Sequence, residues 1–263
     1  TTLIRIINQI INADSGDISI FGQRLEPNHI GVIGYLPEER GLYKKMKVGE
    51  QLIYLAQLKG LSRSEATSKI KTWLTKFEIK DWWGKKIEDL SKGMAQKVQF
   101  ISTVMHEPRL IILDEPFSGL DPVNQELLER LILAERDRGA TILFSTHVMG
   151  HAQRICDRIS IIAGGKVRFE GTVDEARTTL PMKAQYVPCS GEDKVGALLP
   201  ADAERIGNAW RFTVPEGGAE RLVTELVKAG HGIAGLSIER PGLHDAFVRI
   251  VGAVKAEEAE AVA

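Results

Sequence analysis

Apolar residues follow two different periods in the first part of the chain. Short, nearly continuous apolar runs predict strands in the segments IGVIGYLP, LIIL and ATILFS, the last two of them as buried strands. Between these runs, apolar residues recur at helical spacing from Val48 to Leu90, where Ser62 and Glu65 form a capping box, and again after Asp121-Pro122. Strands that alternate with helices favour a parallel sheet, so the pattern predicts an α/β fold with two or three helices inserted between strands.

The chain opens TTLIRIINQI, in which apolar residues again have the spacing of an amphipathic helix. The predicted core-facing positions are Leu3, Ile6, Ile7, Ile10 and Ile11. The next segment, DSGDISIFGQRL, predicts a turn and one short strand. The two opening threonines could simply cap the helix, since threonine hydroxyls accept hydrogen bonds from free N–H groups there.

The pattern changes near Gly171, after a predicted hairpin formed by RISIIA and KVRFEG around Gly164-Gly165. Shorter elements follow: YVPC, a glycine-rich stretch, WRFTV, GGAERLVTELVKAG, GLSIER and LHDAFVRIVG. We therefore predict a first domain over residues 1–175, with a helical subdomain at about 48–95. A small α+β accessory domain over 182–252 and an Ala/Glu-rich tail over 253–263 complete the predicted organisation.

Composition limits the kinds of partner and compartment. The 263 residues include 34 Lys and Arg against 35 Asp and Glu, so no charge excess indicates nucleic acid. The two cysteines, Cys156 and Cys189, lack metal-ligand spacing and fit a reducing cytosol. Apolar runs such as LIILDEP are far shorter than the ~20 residues that a membrane-spanning helix needs.

The segment RLIILDEPFSGLDP carries the clearest chemistry. A predicted strand ends in Asp114 and Glu115, which puts two carboxylates at the carboxyl edge of a sheet, where open α/β folds bind ligands. A carboxylate there can hold Mg²⁺ through its water shell, and a second can polarise an attacking water. A strand that merely runs into an acidic loop would explain a bare Asp-Glu pair equally well. Here SGLD follows at once, and STH ends the next predicted strand.

In this order, LDEP, SGLD and STH resemble the ATP-binding cassette ATPases, the nucleotide-binding subunits of ABC transporters. The resemblance implies a P-loop NTPase-like α/β cassette. It implies that Asp114 is the metal-associated acid of the Walker B motif and that Glu115 is the general base or water-orienting residue. Asp121 then corresponds to the D-loop residue at a dimer interface, and His147 to the histidine that reaches the γ-phosphate.

Two further segments resemble motifs of the same family, each with a departure. DLSKGMAQKVQF is similar to the signature usually written LSGGQ; Ser91 and Gly93 are kept, while Lys92 and Met94 replace Gly and Gln. A helix N-terminus of this kind offers N–H groups to an anion, which in the family is ATP bound to the other cassette. GYLPEERGLYKKM resembles the Q-loop, with Glu38 where Gln is usual, which implies a metal contact through a carboxylate or through water.

The opening threonines then match the end of the phosphate-binding loop G-x-x-x-x-G-K-[ST]-T. Thr1 would correspond to the hydroxyl that binds Mg²⁺, and Thr2 to the residue beside the α-phosphate of ATP. The glycines and the lysine are not in the sequence, which indicates a cassette cut between the Lys and the Thr. Because phosphoryl transfer depends on positioning and electrostatics, we predict that these 263 residues alone neither bind ATP tightly nor hydrolyse it.

The resemblance covers residues 1 to about 171 and implies an ATPase with ATP and Mg²⁺ as cofactors. Its partners would be a second cassette, identical or homologous, packed head to tail, and integral membrane permease subunits. The chain itself would be cytoplasmic and peripheral, on the cytoplasmic face of the cell membrane. The segment ending PGLHDAFVRIVG resembles the small domain appended to bacterial exporter-type cassettes, which favours export. The alternatives are a soluble cassette ATPase outside transport and a degenerate, non-catalytic cassette.

Overall fold

The computed structural model describes residues 1–39, 41–189, 195–196, 198–215 and 218–262, with side chains as far as residue 252. The chain divides into two compact units, Thr1–His147 and Val148–Ala263. The elements of the first unit are α1 (Thr2–Ile7), β1 (Ser19–Ile20), β2 (Gln23–Arg24), β3 (Ile33–Leu36), α2 (Val48–Leu58), α3 (Arg63–Lys76), α4 (Lys92–Val104), β4 (Leu110–Asp114), α5 (Pro122–Asp137) and β5 (Thr141–Ser145).

A three-stranded parallel sheet of order β3-β4-β5 organises the first unit. Leu36 lies opposite Leu113, and Asp114 lies opposite Ser145, so the three strands end at one edge. The predicted parallel α/β sheet is confirmed. The polar residues that directly follow these strands therefore lie together at the carboxyl edge of the sheet, where such folds bind ligands.

The predicted insertion of helices between β3 and β4 is present as α2 and α3, and the helix predicted after Ser91 and Gly93 follows as α4. Ser62 caps α3 and forms the predicted capping box with Glu65. The interior of this bundle is aromatic, because Phe100 makes edge contacts with Trp73 and Phe77 at centroid distances of 6.0 and 5.8 Å. Packed rings of this kind give α4 a fixed position against α3.

Helix α4 also lies directly on β3. A Cβ atom added at Gly34 would come within 2.3 Å of the Thr103 carbonyl oxygen and 2.8 Å of Pro108 Cγ. The Thr103 hydroxyl in turn donates to the Tyr35 carbonyl oxygen at 3.3 Å. The absence of a side chain at Gly34 therefore lets the helix approach the strand closely.

The prediction of a long opening helix was wrong in its extent and in its buried face. Helix α1 ends at Ile7, Gln9 has a φ of +57°, and the Ile10 N–H bonds to the Arg5 carbonyl, which is a Schellman-type ending. The buried residue is Ile4, whereas Leu3, Ile10 and Ile11 of the predicted apolar face are exposed. Helical spacing alone did not locate the residue that stops the helix.

Two strand predictions also need correction. DSGDISIFGQRL forms an antiparallel pair, β1 and β2, turning through Phe21 and Gly22 at positive φ, where a single strand was predicted. Strand β5 is only partly buried, with Leu143 37% exposed, and its described ladder partner is β4 alone. An apolar run therefore identified the strand without identifying its place at the edge of the sheet.

The second unit combines helices with two antiparallel sheets. Its elements are α6 (Met149–Ile155), β6 (Arg158–Ala163), β7 (Lys166–Thr172), α7 (Val173–Thr178), β8 (Lys183–Pro188), β9 (Glu204–Ile206), β10 (Ala209–Thr213), α8 (Gly218–Lys228), β11 (Ile233–Glu239) and α9 (Leu243–Val262). Strands β6 and β7 form the predicted hairpin, with Gly164 and Gly165 both at positive φ.

The small α+β arrangement predicted after Met182 is present as a sheet of order β11-β8-β10-β9 with α8 packed on it. Its core includes Tyr186, Phe212 and Leu226. The glycine-rich stretch includes residues 190–194 and 197, which lie outside the described residues, as do the side chains of the predicted tail, 253–263. The domain limits 1–175, 182–252 and 253–263 stay predictions, since the compact units divide after His147.

Within the part of the chain that the structure describes, every helix is too short or too polar to cross a membrane.

Candidate functional site at the carboxyl edge of the sheet

Asp114 is the last residue of β4 and is nearly inaccessible, at 2% exposure. Its Oδ1 atom accepts a 2.8 Å hydrogen bond from the Ser145 hydroxyl on β5. A buried carboxylate needs such a partner, because an unpaired charge away from water is costly. Ser145 therefore fixes the Asp114 carboxylate at the edge of the sheet.

Glu115 follows in a left-handed backbone conformation, with a φ of +50°. Its Oε1 atom accepts from the His147 backbone N–H at 2.7 Å and lies 2.8 Å from His147 Nδ1, and its Oε2 atom accepts from the Thr146 hydroxyl at 3.4 Å. The Glu115 side chain is 15% exposed and the His147 side chain 83% exposed. The structure thus brings together the predicted catalytic pair, with Glu115 held from three sides and His147 facing outwards.

Asp121 lies farther along the same loop as the N-cap of α5. Its Oδ1 atom accepts from the Asn124 N–H at 3.0 Å, and the hydrogen bonds from Asn124 lower the pKa of the Asp121 carboxyl. The side chain is exposed. Asp121 is therefore an ionised carboxylate that is accessible at the surface.

Ser91 and Gly93 begin α4, on the other side of that loop. The Ser91 hydroxyl caps the helix by accepting from the Met94 N–H at 3.3 Å. A Cβ atom at Gly93 would lie 2.9 Å from the Gly119 carbonyl oxygen, and a Cβ atom at Gly119 would lie 2.6 Å from the Lys92 side chain. The signature-like segment and the SGLD loop consequently pack directly against each other.

The loop that carries Glu38 leaves β3 at the same edge of the sheet. Glu38 is exposed, and its neighbours Pro37 and Glu39 bond through their carbonyl oxygens to Gln99 Nε2 at 3.0 and 3.4 Å. Inside the edge, burial and the charge of Asp114 raise the pKa of Tyr35, while the charge of Arg5 lowers it. Tyr35 therefore lies close enough to Asp114 on β4 and to Arg5 on α1 to be influenced by both charges.

Thr1 and Thr2 stand at the start of α1, and both are exposed. Thr1 is the N-cap residue and makes no side-chain capping bond. The structure therefore gives the Thr1 hydroxyl no capping role, whereas hydrogen bonds join Glu115 to His147 and Asp114 to Ser145.

Sequence reasoning missed the residues that hold these loops in place. Gln96 Nε2 donates to the Pro116 carbonyl oxygen at 2.7 Å, Gln99 holds the Glu38 loop, and Ser145 and Thr146 contact the two carboxylates. Their positions in the sequence could have indicated them, because Gln96 and Gln99 lie one turn apart on the helix of the signature-like segment. Ser145 and Thr146 directly precede the predicted histidine.

The donor set fits Mg²⁺ only together with a phosphate ligand. No group of three or more His, Cys, Asp or Glu side chains that could enclose a metal occurs among the described residues. Mg²⁺ is usually bound by one or two carboxylates, phosphate oxygens and waters, and Asp114 supplies a buried hard oxygen of this kind.

Comparison with known proteins agrees with this arrangement. A profile of the family described as "ABC transporter" matches residues 1–118. The YhaQ protein of Bacillus subtilis, an uncharacterized ABC transporter ATP-binding protein, is 39% identical over 258 residues, which is 97% of this chain and 86% of that protein. This chain belongs to the ABC transporter ATP-binding proteins. Its fold is the P-loop NTPase-like cassette, and it is the ATP-binding subunit of an ABC transporter.

Two further similarities support the assignment. An ABC transporter ATP-binding protein of Alkalihalophilus pseudofirmus is 36% identical over 262 residues, covering 96% of this chain and 95% of that protein. A solved structure of the ATP-binding subunit of an ABC transporter is 34% identical, with a TM-score of 0.63 over 68% of this chain and 75% of that one. The family generally couples ATP hydrolysis to transport and works as a dimer with membrane subunits, as the resemblance implied.

Proposed function

We propose that the carboxyl edge of the β3-β4-β5 sheet is the hydrolytic site, with Glu115 orienting the water that attacks ATP. The observation that carries this proposal is the set of three contacts that hold the Glu115 carboxylate against Thr146 and His147. A water-orienting carboxylate must be fixed in direction, and these contacts hold the Glu115 carboxylate in one orientation.

Asp114 is proposed to hold Mg²⁺ on its water shell, with Glu38 and the Thr1 hydroxyl as further oxygen donors and Thr2 beside the α-phosphate. When bound, Mg²⁺ would neutralise charge on the β- and γ-phosphates of ATP. Ser145 keeps the Asp114 carboxylate in one orientation for this role. His147, with its ring largely exposed, can turn from Glu115 towards a γ-phosphate.

The signature-like segment is proposed to complete the site of a second cassette. Ser91 and Gly93 begin the thirteen-residue helix α4 and lie beside the exposed Asp121 loop. Each cassette would offer this surface to the ATP of its partner, in a head-to-tail dimer of identical or homologous chains. Lys92 adds a positive side chain at the same helix end, which suits a polyphosphate.

We further propose that the permease subunits dock beside the Glu38 loop, on the cytoplasmic side of the membrane. Tyr43 and Tyr54 are both exposed and meet edge to face at 6.1 Å, and Leu58, one turn after Tyr54, is 65% exposed. An apolar surface of this kind indicates a protein partner. The second unit, with its small antiparallel sheet, supports an exporter-type cassette by its resemblance to domains appended to exporters.

The dimer can be tested in an extended chain, in which a strand and a G-x-x-x-x-G-K loop from another cassette are joined ahead of Thr1. With Glu115→Gln to block hydrolysis, Mg-ATP is expected to convert the monomer to a dimer in sedimentation velocity. Ser91→Arg should prevent this conversion, because the arginine side chain would occupy the position of the partner's γ-phosphate. Ser64→Arg, at an exposed serine early in α3, is the matched control and should dimerise normally. A Ser91→Arg variant that dimerises as well as its control contradicts the proposal.

A further inference from the structure

Two buried glutamines from the inserted helices hold the two ends of the Glu38 loop. Gln99 on α4 is 4% exposed and donates through Nε2 to the carbonyl oxygens of Pro37 and Glu39. Gln51 on α2 is fully buried, and its Oε1 atom accepts from the Tyr43 N–H at 3.0 Å. Residues 37–39 and 41–43, which we call the clamped loop, are thus attached at both ends to helices.

The backbone partners fix the orientation of both amide groups. A carbonyl oxygen can only accept, so the group of Gln99 that faces Pro37 and Glu39 must be its NH₂. A backbone N–H can only donate, so the group of Gln51 that faces Tyr43 must be its oxygen. Neither side chain can flip without placing two donors or two acceptors together.

This orientation leaves one polar atom of each glutamine buried without a hydrogen-bond partner among the described residues, namely Gln51 Nε2 and Gln99 Oε1. Unpaired buried polar atoms are rare in folded proteins, because they lose their hydrogen bonds with water. An apolar side chain of the same size would avoid that loss at either position. The hydrogen bonds to the loop therefore explain why these two positions are polar, whereas the stability of the helices does not.

We propose that Gln51 and Gln99 are positioning residues for Glu38: they tie the clamped loop to α2 and α4, so that Glu38 is presented at the carboxyl edge of the sheet by the helical insertion. This inference rests on the proposed function, in which Glu38 is an oxygen donor at the Mg-ATP site. Helix α4 also holds the loop after β4 through Gln96, so one helix sets the positions of both acidic loops.

The direct test is hydrogen exchange of backbone amides in the 263-residue chain. In Gln51→Met the Tyr43 amide loses its acceptor and is expected to exchange about tenfold faster. In Gln99→Met the amides of the clamped loop should exchange faster by a similar factor. Gln57→Met, at an exposed glutamine of α2, is the surface control and should leave the loop unchanged.

Gln96→Met is the buried control, because it removes a bond to the other acidic loop. It should speed exchange after Pro116 and leave the clamped loop unchanged. Unchanged exchange of the clamped loop in both Gln51→Met and Gln99→Met would overturn the proposal, and so would faster exchange of that loop in Gln96→Met.

A Met variant could also lower the urea midpoint for unfolding of the whole first unit. In that case a second pair of variants separates loss of the loop contacts from global destabilisation. Gln51→Glu keeps the acceptor that Tyr43 uses, so the Tyr43 amide should stay protected. Gln99→Glu removes the donor to Pro37 and Glu39, so the clamped loop should exchange faster. Equal effects of these two identical chemical changes would contradict the assigned orientations.

Mg²⁺ dependence in the extended chain separates this inference from the proposed function. Gln99→Met should raise the Mg²⁺ concentration for half-maximal ATP hydrolysis several-fold, with a smaller change in the KM for ATP. If the parent extended chain does not hydrolyse ATP, the proposed function fails, while the exchange results still decide whether the glutamines hold the loop. Faster exchange with unchanged Mg²⁺ dependence would overturn the positioning role for Glu38.

Discussion

Mild acid is expected to destabilise the first unit through His106, which lies between α4 and β4. Its Nε2 atom is 3.2 Å from the Ile33 carbonyl oxygen, so Nε2 carries the proton and Nδ1 the lone pair. Nδ1 is buried and has no hydrogen-bond partner among the described residues. Burial lowers the pKa of His106 to about 4, and the charges of Lys59, Lys69 and Arg138 act in the same direction.

The direction in which stability changes with pH follows from the pKa of His106 in the folded and in the unfolded chain. An unfolded histidine has a pKa near 6.5, so between about pH 6.5 and pH 4 the unfolded chain binds a proton that the folded chain does not. Stability contributed by neutral His106 is therefore complete above that window and is lost as the pH falls through it. By linkage, the loss between pH 7.5 and pH 5 is about 2 kcal/mol from this residue.

The assay is urea unfolding at pH 7.5 and pH 5 in a Trp210→Phe background, so that Trp73, Trp82 and Trp83 report on the first unit. His106→Gln can still donate to Ile33 but cannot titrate, and it should lose about 2 kcal/mol less than the parent between the two pH values. His244→Gln, at an exposed histidine of the second unit, is the control and should behave like the parent. Equal losses in the parent and in His106→Gln would show that His106 does not cause the loss of stability in acid.

Three other outcomes are expected. Gly34→Ala should destabilise the first unit by about 2–3 kcal/mol in urea unfolding, because the added Cβ overlaps the Thr103 carbonyl, whereas Gly41→Ala, with open space around it, should cost far less. Ser145→Ala should cost about 1 kcal/mol, since Asp114 loses its buried donor; an unchanged urea midpoint would contradict this. The 263 residues alone should release no phosphate from Mg-ATP above background, and turnover that Glu115→Gln removes would show that prediction to be wrong.

Patterns that depend on neighbouring residues allowed much of the fold to be predicted. The apolar runs located β3, β4 and β5, and the helical spacing located α2, α3 and α5, because periodicity records which face of an element is buried. Two features were missed: α1 ends at Ile7 in a Schellman-type turn, and β5 lies at an edge of the described sheet. Neither is determined by the local apolar pattern.

The candidate site shows the same division. Asp114, Glu115 and His147 could be predicted because each follows a strand in a known order of motifs. The roles of Gln51 and Gln99 could not be predicted, because a glutamine in a helix is ordinarily solvated. The backbone groups that they bind lie outside their own helices, at Tyr43 for Gln51 and at Pro37 for Gln99. Only the packed helices show why these two positions are polar.

The most direct test of the account is the rate of ATP hydrolysis by the extended chain with and without Glu115. Glu115→Gln keeps the shape of the side chain and removes its negative charge, so kcat is expected to fall about a hundredfold or more while Mg-ATP still binds. Glu126→Gln, at an exposed carboxylate on α5, should retain the parent rate. A Glu115→Gln variant that hydrolyses Mg-ATP at the parent rate would contradict the assignment of this edge of the sheet as the hydrolytic site.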